Sequence, residues 1–149
     1  PRTALLDFVR DVARVRSEHA AFRQRYFFDG RPMQEGGPKD LAWIDCDGRE
    51  LPDDAWGDPS RHSLGMFIAG STAARNRGSS QGADGSFLVL MHAGSQEQSF
   101  VLPGMPYGLS YRRVIDTAAG TARPGGADEA AGSTLVLAPF SMVVLRAAR

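Results

Sequence analysis

The first apolar residues of the chain recur at the spacing of one helix face. They follow the i, i+3, i+4, i+7 pattern, and mostly charged residues fill the positions between them. Thr3 has the side chain of an N-cap, and the pattern ends at about residues 17–20. The sequence therefore predicts an amphipathic helix from about Leu5 to Arg16. Its apolar residues are Leu5, Leu6, Phe8, Val9, Val12, Ala13 and Val15.

After Gly36-Gly37-Pro38 the period of the apolar pattern changes to two. Residues 41–44 have the composition of a short strand, and Asp47-Gly48 behind them favours a tight turn. Further runs contain β-branched or aromatic residues and are bounded by Gly, Pro or Asp, a pattern typical of an all-β sandwich or barrel. These runs are residues 63–69, 86–93, 98–102, 110–117, 134–138 and 141–147.

Together these elements predict a mainly β fold, an antiparallel β-sandwich preceded by one amphipathic α-helix. Residues 70–85 and 118–132 are rich in Gly and Ala and are predicted as loops. Pro139 is expected at a bend or an edge, because it cannot donate to a central ladder. The 149 residues suit a single core, with residues 1–38 as a helical lead-in and residues 39–149 as the sandwich domain.

The charge balance and the cysteine content of the sequence limit the binding partners and the cellular compartment that we expect. The 17 basic residues balance the 17 acidic ones, so no overall field attracts nucleic acid or an anionic membrane. Cys46 is the single cysteine, which excludes an intrachain disulfide and fits a reducing compartment. No apolar run approaches the roughly 20 residues of a membrane span. We therefore expect a cytoplasmic protein and, since the chain starts at Pro1 rather than Met, a fragment of a larger one.

The segment Gly78-Ser79-Ser80-Gln81-Gly82 matches the G-x-S-x-G pattern of a hydrolase nucleophile elbow. That chemistry requires a strand before the serine and a helix after it. Arg75-Asn76-Arg77 precedes the segment and a predicted strand follows it. We therefore interpret Ser80 as part of a loop and not as a nucleophile.

The histidines and the residues around Cys46 do not predict a metal site. His19, His62 and His92 lie far apart without the spacing of zinc ligands, and His92 falls in an apolar run, as a hydrogen-bonded sheet residue would. Asp45-Cys46-Asp47-Gly48 begins like a calcium loop but has Arg49 where a ligand is required. We expect no metal, and the family resemblance described below implies no organic cofactor.

Carboxylates and tryptophans are the residues through which the chain could act on or bind a sugar. Glycoside hydrolysis requires two carboxylates on a rigid cleft, whereas the acids of residues 45–58 lie in a region that Pro52 and Gly57 break into turns. No catalytic residue is therefore predicted. Trp43 lies in a strand of period two and is expected in the core, and Trp56 could stack on a sugar.

Several segments resemble the debranching-enzyme branch of the α-amylase superfamily, in particular the C-terminal region of bacterial glycogen-debranching enzymes of the isoamylase type. They cover most of residues 1–93 in the family's order, and residues 94–149 match only as a strand-rich tail. The segments are Phe22–Pro32, Lys39–Trp43, Asp47-Gly48, Trp56, Arg61–Phe67 and Asp84–Leu90.

The resemblance implies a C-terminal β-sandwich that follows a (β/α)₈ barrel, with the predicted helix as the last barrel helix. The family's catalytic carboxylates lie on barrel loops, so none is carried over to this chain. We expect a non-catalytic accessory domain of an enzyme that hydrolyses α-1,6 branch linkages in glycogen or limit dextrin. The alternatives are a carbohydrate-binding module that grips glycogen and a stand-alone interaction domain.

The expected partners are the barrel and an α-glucan, with neither nucleic acid nor membrane among them. Trp56, Phe28 and Arg31 are the candidate residues for sugar or interface contact. The apolar stripe of the helix must also be buried, because it is worth on the order of 5 to 10 kcal/mol at roughly 1.5 to 3 per large side chain. We expect the helix to fold back on the sandwich through residues 22–28, with self-association as the alternative.

Overall fold

The computed structural model describes residues 2–25, 27–70 and 85–149. One helix, α1 (Arg2–Glu18), precedes eight strands, and short 3₁₀ turns lie at Ala20–Phe22 and Asp53–Gly57. The strands are β1 (Leu41–Ile44), β2 (Ser63–Ile68), β3 (Ser86–His92), β4 (Gln98–Val101), β5 (Ser110–Asp116), β6 (Gly125–Ala130), β7 (Thr134–Leu137) and β8 (Ser141–Ala148). None of the helices in these residues is long and apolar enough to cross a membrane.

The strands form two antiparallel sheets. The larger has six strands in the order β1-β2-β3-β8-β5-β6, and the smaller pairs β4 with β7. The C-terminal strand β8 lies between β3 and β5, where Leu145 pairs with Leu88. The architecture confirms the predicted mainly β fold with one N-terminal helix.

One core lies between the two sheets and is built by every second residue of the central strands. Phe67, Leu88 and Leu145 of the large sheet are fully buried there, opposite Phe100 and Leu137 of the small sheet. Alternation places these side chains on one face, because successive strand residues point to opposite sides. The other face of the large sheet remains for a second layer.

Helix α1 packs on that second, outer face. Val15 is 4% exposed, and Phe8 and Val12 pack against the same cluster of sheet residues. In the segment that follows the helix in the sequence, Phe22 contacts Phe87 of β3 with ring centroids 4.6 Å apart. The helix thus folds back on the sandwich, as the apolar stripe predicts.

The helix begins earlier than predicted. It already includes Arg2, so Thr3 lies within its first turn and is not its N-cap. An apolar pattern determines which face is buried but does not fix the terminal residue, which differs by one or two positions between criteria.

The predicted loop at 118–132 contains strand β6, and this prediction was wrong. Its sequence, Gly-Gly-Ala-Asp-Glu-Ala, has no strand propensity, and most of its side chains are exposed. The strand is held by pairing with β5 and by two cross-strand ion pairs. These pairs join Arg112 to Asp128 at 2.6 Å and Arg113 to Glu129 at 3.1 Å.

Trp43 also differs from its prediction. It is only half-buried, because Ala42 and Ile44 are the residues of β1 that face the core between the sheets. Alternation puts Trp43 on the outer face. A strand of four residues offers two sides of similar hydrophobicity, and the sequence does not distinguish them.

A buried carboxylate fixes the chain segment that enters β1. Asp40 is 3% exposed and accepts hydrogen bonds from three backbone N–H groups, those of Asp29 at 2.8 Å, Gly30 at 2.8 Å and Leu41 at 2.7 Å. These bonds compensate the cost of burying the charge. They also set the path of the connection between the helix and the sandwich.

Candidate binding groove

The outer face of the large sheet continues beyond the residues that α1 covers. Leu64 of β2, Met91 of β3 and Met142 of β8 lie side by side there, since Leu64 pairs with Met91 and Met91 with Met142. They form the floor of an open groove of about 810 Å³. The register of three strands that are far apart in sequence therefore creates this apolar strip.

Trp56 forms one wall of the groove. It lies on the 3₁₀ turn Asp53–Gly57 and remains 52% exposed. Its ring packs edge to face on Trp43, with centroids 5.4 Å apart and planes at 90°. This is a favourable geometry for two aromatic rings, so Trp43 supports Trp56 from behind.

Phe140 also lines the groove, from the turn between β7 and β8 that follows Pro139. This turn confirms the predicted bend at Pro139. Phe140 is 72% exposed and has a φ of 52°, a left-handed conformation that bulky residues rarely adopt. Such a conformation persists only where neighbouring structure enforces it, here with help from a hydrogen bond of the Phe140 N–H to the Gly94 carbonyl at 3.2 Å.

Polar side chains complete the rim. Ser60 donates its backbone N–H and its hydroxyl to Asp58 Oδ1, at 2.9 and 2.6 Å. The hydroxyl and then the N–H of Ser60 lower the pKa of Asp58, so this carboxylate is charged at neutral pH. Its second oxygen and the exposed imidazole of His62 make no hydrogen bond within the described residues.

His92, the histidine beneath the groove, already makes hydrogen bonds through both ring nitrogens. His92 lies 2.7 Å from Ser63 Oγ through Nδ1 and 2.6 Å from the Gln96 carbonyl through Nε2. A carbonyl only accepts, so Nε2 donates to it and Nδ1 accepts from the Ser63 hydroxyl. His92 is therefore the hydrogen-bonded sheet residue that the sequence predicts, with both ring nitrogens occupied.

The structure does not bring the three predicted contact residues together. Trp56 lines the groove, but Phe28 packs beside the helix on the outer face and Arg31 lies in the turn where its carbonyl accepts the Asp40 N–H at 3.1 Å. The sequence reading missed Phe140 and His62. An aromatic residue directly after a turn proline was the signal for Phe140.

The carboxylates of the groove bear on whether it could hydrolyse a glycosidic bond. Asp58 is the single carboxylate among its lining residues, whereas glycoside hydrolysis requires two. Within the described ranges no three His, Cys, Asp or Glu side chains are grouped to hold a metal ion. The segment 78–82, with Ser80, lies outside the described residues.

Fold and groove together define a helix-flanked β-sandwich domain with an open binding surface. Its sequence is 34% identical over 116 residues to proteins named glycogen operon protein GlgX homolog, from Mycobacterium bovis and from two strains of Mycobacterium tuberculosis. The match covers 76% of this chain and 16% of each relative, so the chain spans about a sixth of their length. No family model matches the chain.

A solved structure shares the fold. It is the pullulanase type I from Bacillus subtilis str. 168 complexed with maltose, with a TM-score of 0.57 and 14% sequence identity over 96% of this chain and 15% of that one. This match shows the fold alone, whereas the sequence relatives support the family resemblance found above. The chain is a relative of the C-terminal region of glycogen-debranching enzymes.

Proposed function

We propose that the chain is the non-catalytic C-terminal domain of a glycogen-debranching glycoside hydrolase and that it packs against the enzyme's (β/α)₈ barrel. The observation that carries this proposal is the face of α1 that points away from the sheet. Leu5, Leu6 and Val9 are 67%, 48% and 53% exposed on it. A helix that forms the outermost layer of a protein does not usually present three large apolar side chains to water.

The helix has an unusually wide apolar arc. At about 100° per residue, its apolar side chains span roughly 200° of the circumference. Phe8, Val12 and Val15 use one half of this arc against the sheet. The half that contains Leu5 and Val9 has no described layer on it, so the helix has the pattern of an element packed between two layers.

The opposite side of the helix is polar, and several of its charged residues form ion pairs. Arg10 binds Asp7 at 3.3 Å and Arg14 binds Asp11 at 3.0 Å. Asp11 also accepts from Arg123 at 2.9 Å, which adds to the apolar packing that orients the helix on the sandwich. The uncovered apolar half is therefore held in one direction, as a docking surface requires.

The positions of four described acids support the absence of catalysis in this domain. Asp40 caps backbone groups, Asp116 and Asp128 are paired with arginines, and Asp58 stands alone in the groove. We therefore expect the isolated chain to release no reducing sugar from limit dextrin. Release that is abolished by mutation of one of the chain's own acids would contradict this.

The docking proposal is tested with the double variant Leu5→Asp/Val9→Asp. The control is Thr3→Asp, which adds one carboxylate on the polar side of the helix. In the full enzyme, the double variant should lower the free energy of unfolding by about 3 to 6 kcal/mol, from the lost burial of two large side chains. The isolated chain should be unaffected. An enzyme equally stable with both variants would refute the docking proposal.

The compartment that we propose is the cytoplasm. The named relatives are glycogen operon proteins, and a single reduced cysteine, Cys46, suits that environment. Burial raises the pKa of the Cys46 thiol, and the negative charge of the nearby Asp45 raises it further. The thiol is therefore protonated and of low reactivity at neutral pH.

A further inference from the structure

The groove presents two aromatic side chains that the docking surface on α1 does not use. Trp56 and Phe140 belong to segments about 80 residues apart and line the same groove. The position of each ring costs free energy. Trp56 exposes half of a large apolar surface to water, and Phe140 adopts a left-handed backbone conformation. The Trp43 contact covers only part of Trp56, and Phe140 remains 72% exposed.

The polar groups at the rim suit a polyhydroxylated ligand. Asp58 Oδ2 is an acceptor and the His62 imidazole has a nitrogen of each kind, and the described residues leave both without hydrogen bonds. Hydroxyls of a sugar donate and accept, so they can satisfy both groups, while the apolar face of a pyranose ring stacks on an aromatic ring. The volume of about 810 Å³ lies within the usual range for small ligands, about 300 to 1,000 Å³.

A protein segment suits the groove less well. An apolar helix or strand would cover the Leu64 and Met142 floor, but it would also take the exposed charge of Asp58 out of water. The two Ser60 hydrogen bonds both go to Oδ1, so they would not replace the lost hydration of Oδ2. The groove is open to solvent, so a ligand bound in it can continue into the surrounding water, as a polysaccharide chain does.

We propose that this groove is an accessory binding site for a linear α-glucan chain, with Trp56 and Phe140 stacking on sugar rings and Asp58 and His62 holding hydroxyls. The choice of an α-glucan rests on the proposed function, since glycogen is the polymer such an enzyme meets. The site contains no catalytic residue. Its role is to retain the enzyme on the polymer.

The experiment uses the 149-residue chain and maltohexaose, with binding followed by NMR chemical shifts and by tryptophan fluorescence. Because Trp43 and Trp56 are the chain's two tryptophans and contact each other, the fluorescence reports on the groove. We expect saturable binding with a dissociation constant on the order of 1 mM. Cellohexaose, a flat β-linked chain, should bind at least about tenfold more weakly.

Trp56→Ala and Phe140→Asn should each weaken maltohexaose binding about tenfold or more. Asparagine tolerates the left-handed conformation, so the second variant removes the ring without new backbone strain. Leu109→Ala is the control, since Leu109 is 58% exposed outside the groove. Binding that is absent in the unmodified chain, or equal in all variants, would overturn the proposal.

The full enzyme distinguishes a sugar from a protein occupant. If Phe140→Asn lowers the melting temperature of the enzyme and leaves its glycogen binding unchanged, the groove is an interdomain contact and the proposal fails. Reduced glycogen binding at an unchanged melting temperature supports it. Failure here leaves the helix docking intact, because Leu5→Asp/Val9→Asp tests a different surface.

Discussion

Trp43 and Trp56 meet edge to face at 5.4 Å, and this contact joins strand β1 to the rim of the groove. Trp43 is half-buried under the contact, whereas Trp56 is 52% exposed. Trp43→Ala should therefore lower the free energy of unfolding by about 2 kcal/mol, below the 3 to 5 typical of a fully buried tryptophan. Trp56→Ala should cost less than about 1 kcal/mol. Denaturant melts that rank the two variants in the opposite order would show that the contact is not the support we describe.

Asp40 is expected to be the most sensitive carboxylate for stability. Replacement by Ala leaves three backbone donors, including those of Asp29 and Gly30, without their acceptor. The loss should be about 2 to 4 kcal/mol by chemical denaturation. The control is Asp47→Ala, because Asp47 is exposed and interacts with Arg49 alone among the described residues, through the Arg49 N–H at 2.9 Å and its guanidinium at 3.9 Å. Equal losses in the two variants would argue against the role of Asp40.

The two sides of α1 should respond differently to charge. Phe8→Asp puts a carboxylate against the outer-face cluster and should destabilise the isolated chain by about 2 to 3 kcal/mol. Leu5→Asp, on the uncovered side, should leave its stability within about 0.5 kcal/mol. Thermal melts test both. Light scattering over a concentration series tests self-association, and any dimer formed through the helix should dissociate in Leu5→Asp.

Glu50 should contribute to the loss of stability in acid. Burial acts to raise its pKa, but hydrogen bonds from Lys39 and Tyr107 outweigh it, so the pKa of Glu50 lies below its ordinary value. A depressed folded-state pKa gives stability that is present above the unfolded pKa and is lost as the pH falls through the folded one. Between about pH 6 and pH 3, Glu50→Gln should therefore lose less stability than the unmodified chain. Parallel pH curves for the two proteins would exclude this contribution.

The pattern of apolar residues predicts most of the fold, because the central strands and the helix bury side chains at a regular period. β1 was predicted with its observed limits, and the strands from Ser63 and Ser86 with their observed starts. β6 was missed since its strand conformation comes from pairing with Tyr111 and Arg113 and not from its own side chains. The strand propensities of the residues in β6 do not reveal that a partner strand is present.

The groove was less predictable than the fold. Trp56 stood out as an aromatic residue among turns, but Leu64, Met91 and Met142 look like ordinary strand residues in the sequence. Their common position results from the pairing of β2, β3 and β8. Phe28 was chosen for the same reason as Trp56, yet it packs beside the helix. Composition indicates which aromatic residues exist, and only the register decides which of them share a surface.

Strand β6 also determines how the large sheet meets its surroundings. It forms one edge of that sheet, where unpaired backbone groups could recruit a strand from a second molecule. Gly125 and Gly126 have no side chains on which such a strand could pack, and Asp128 and Glu129 place carboxylates along β6. The register of β6 also shifts within its pairing to β5. Edge-to-edge polymerisation through β6 is thereby disfavoured, and many copies of the domain can be crowded together without exchanging strands at this edge.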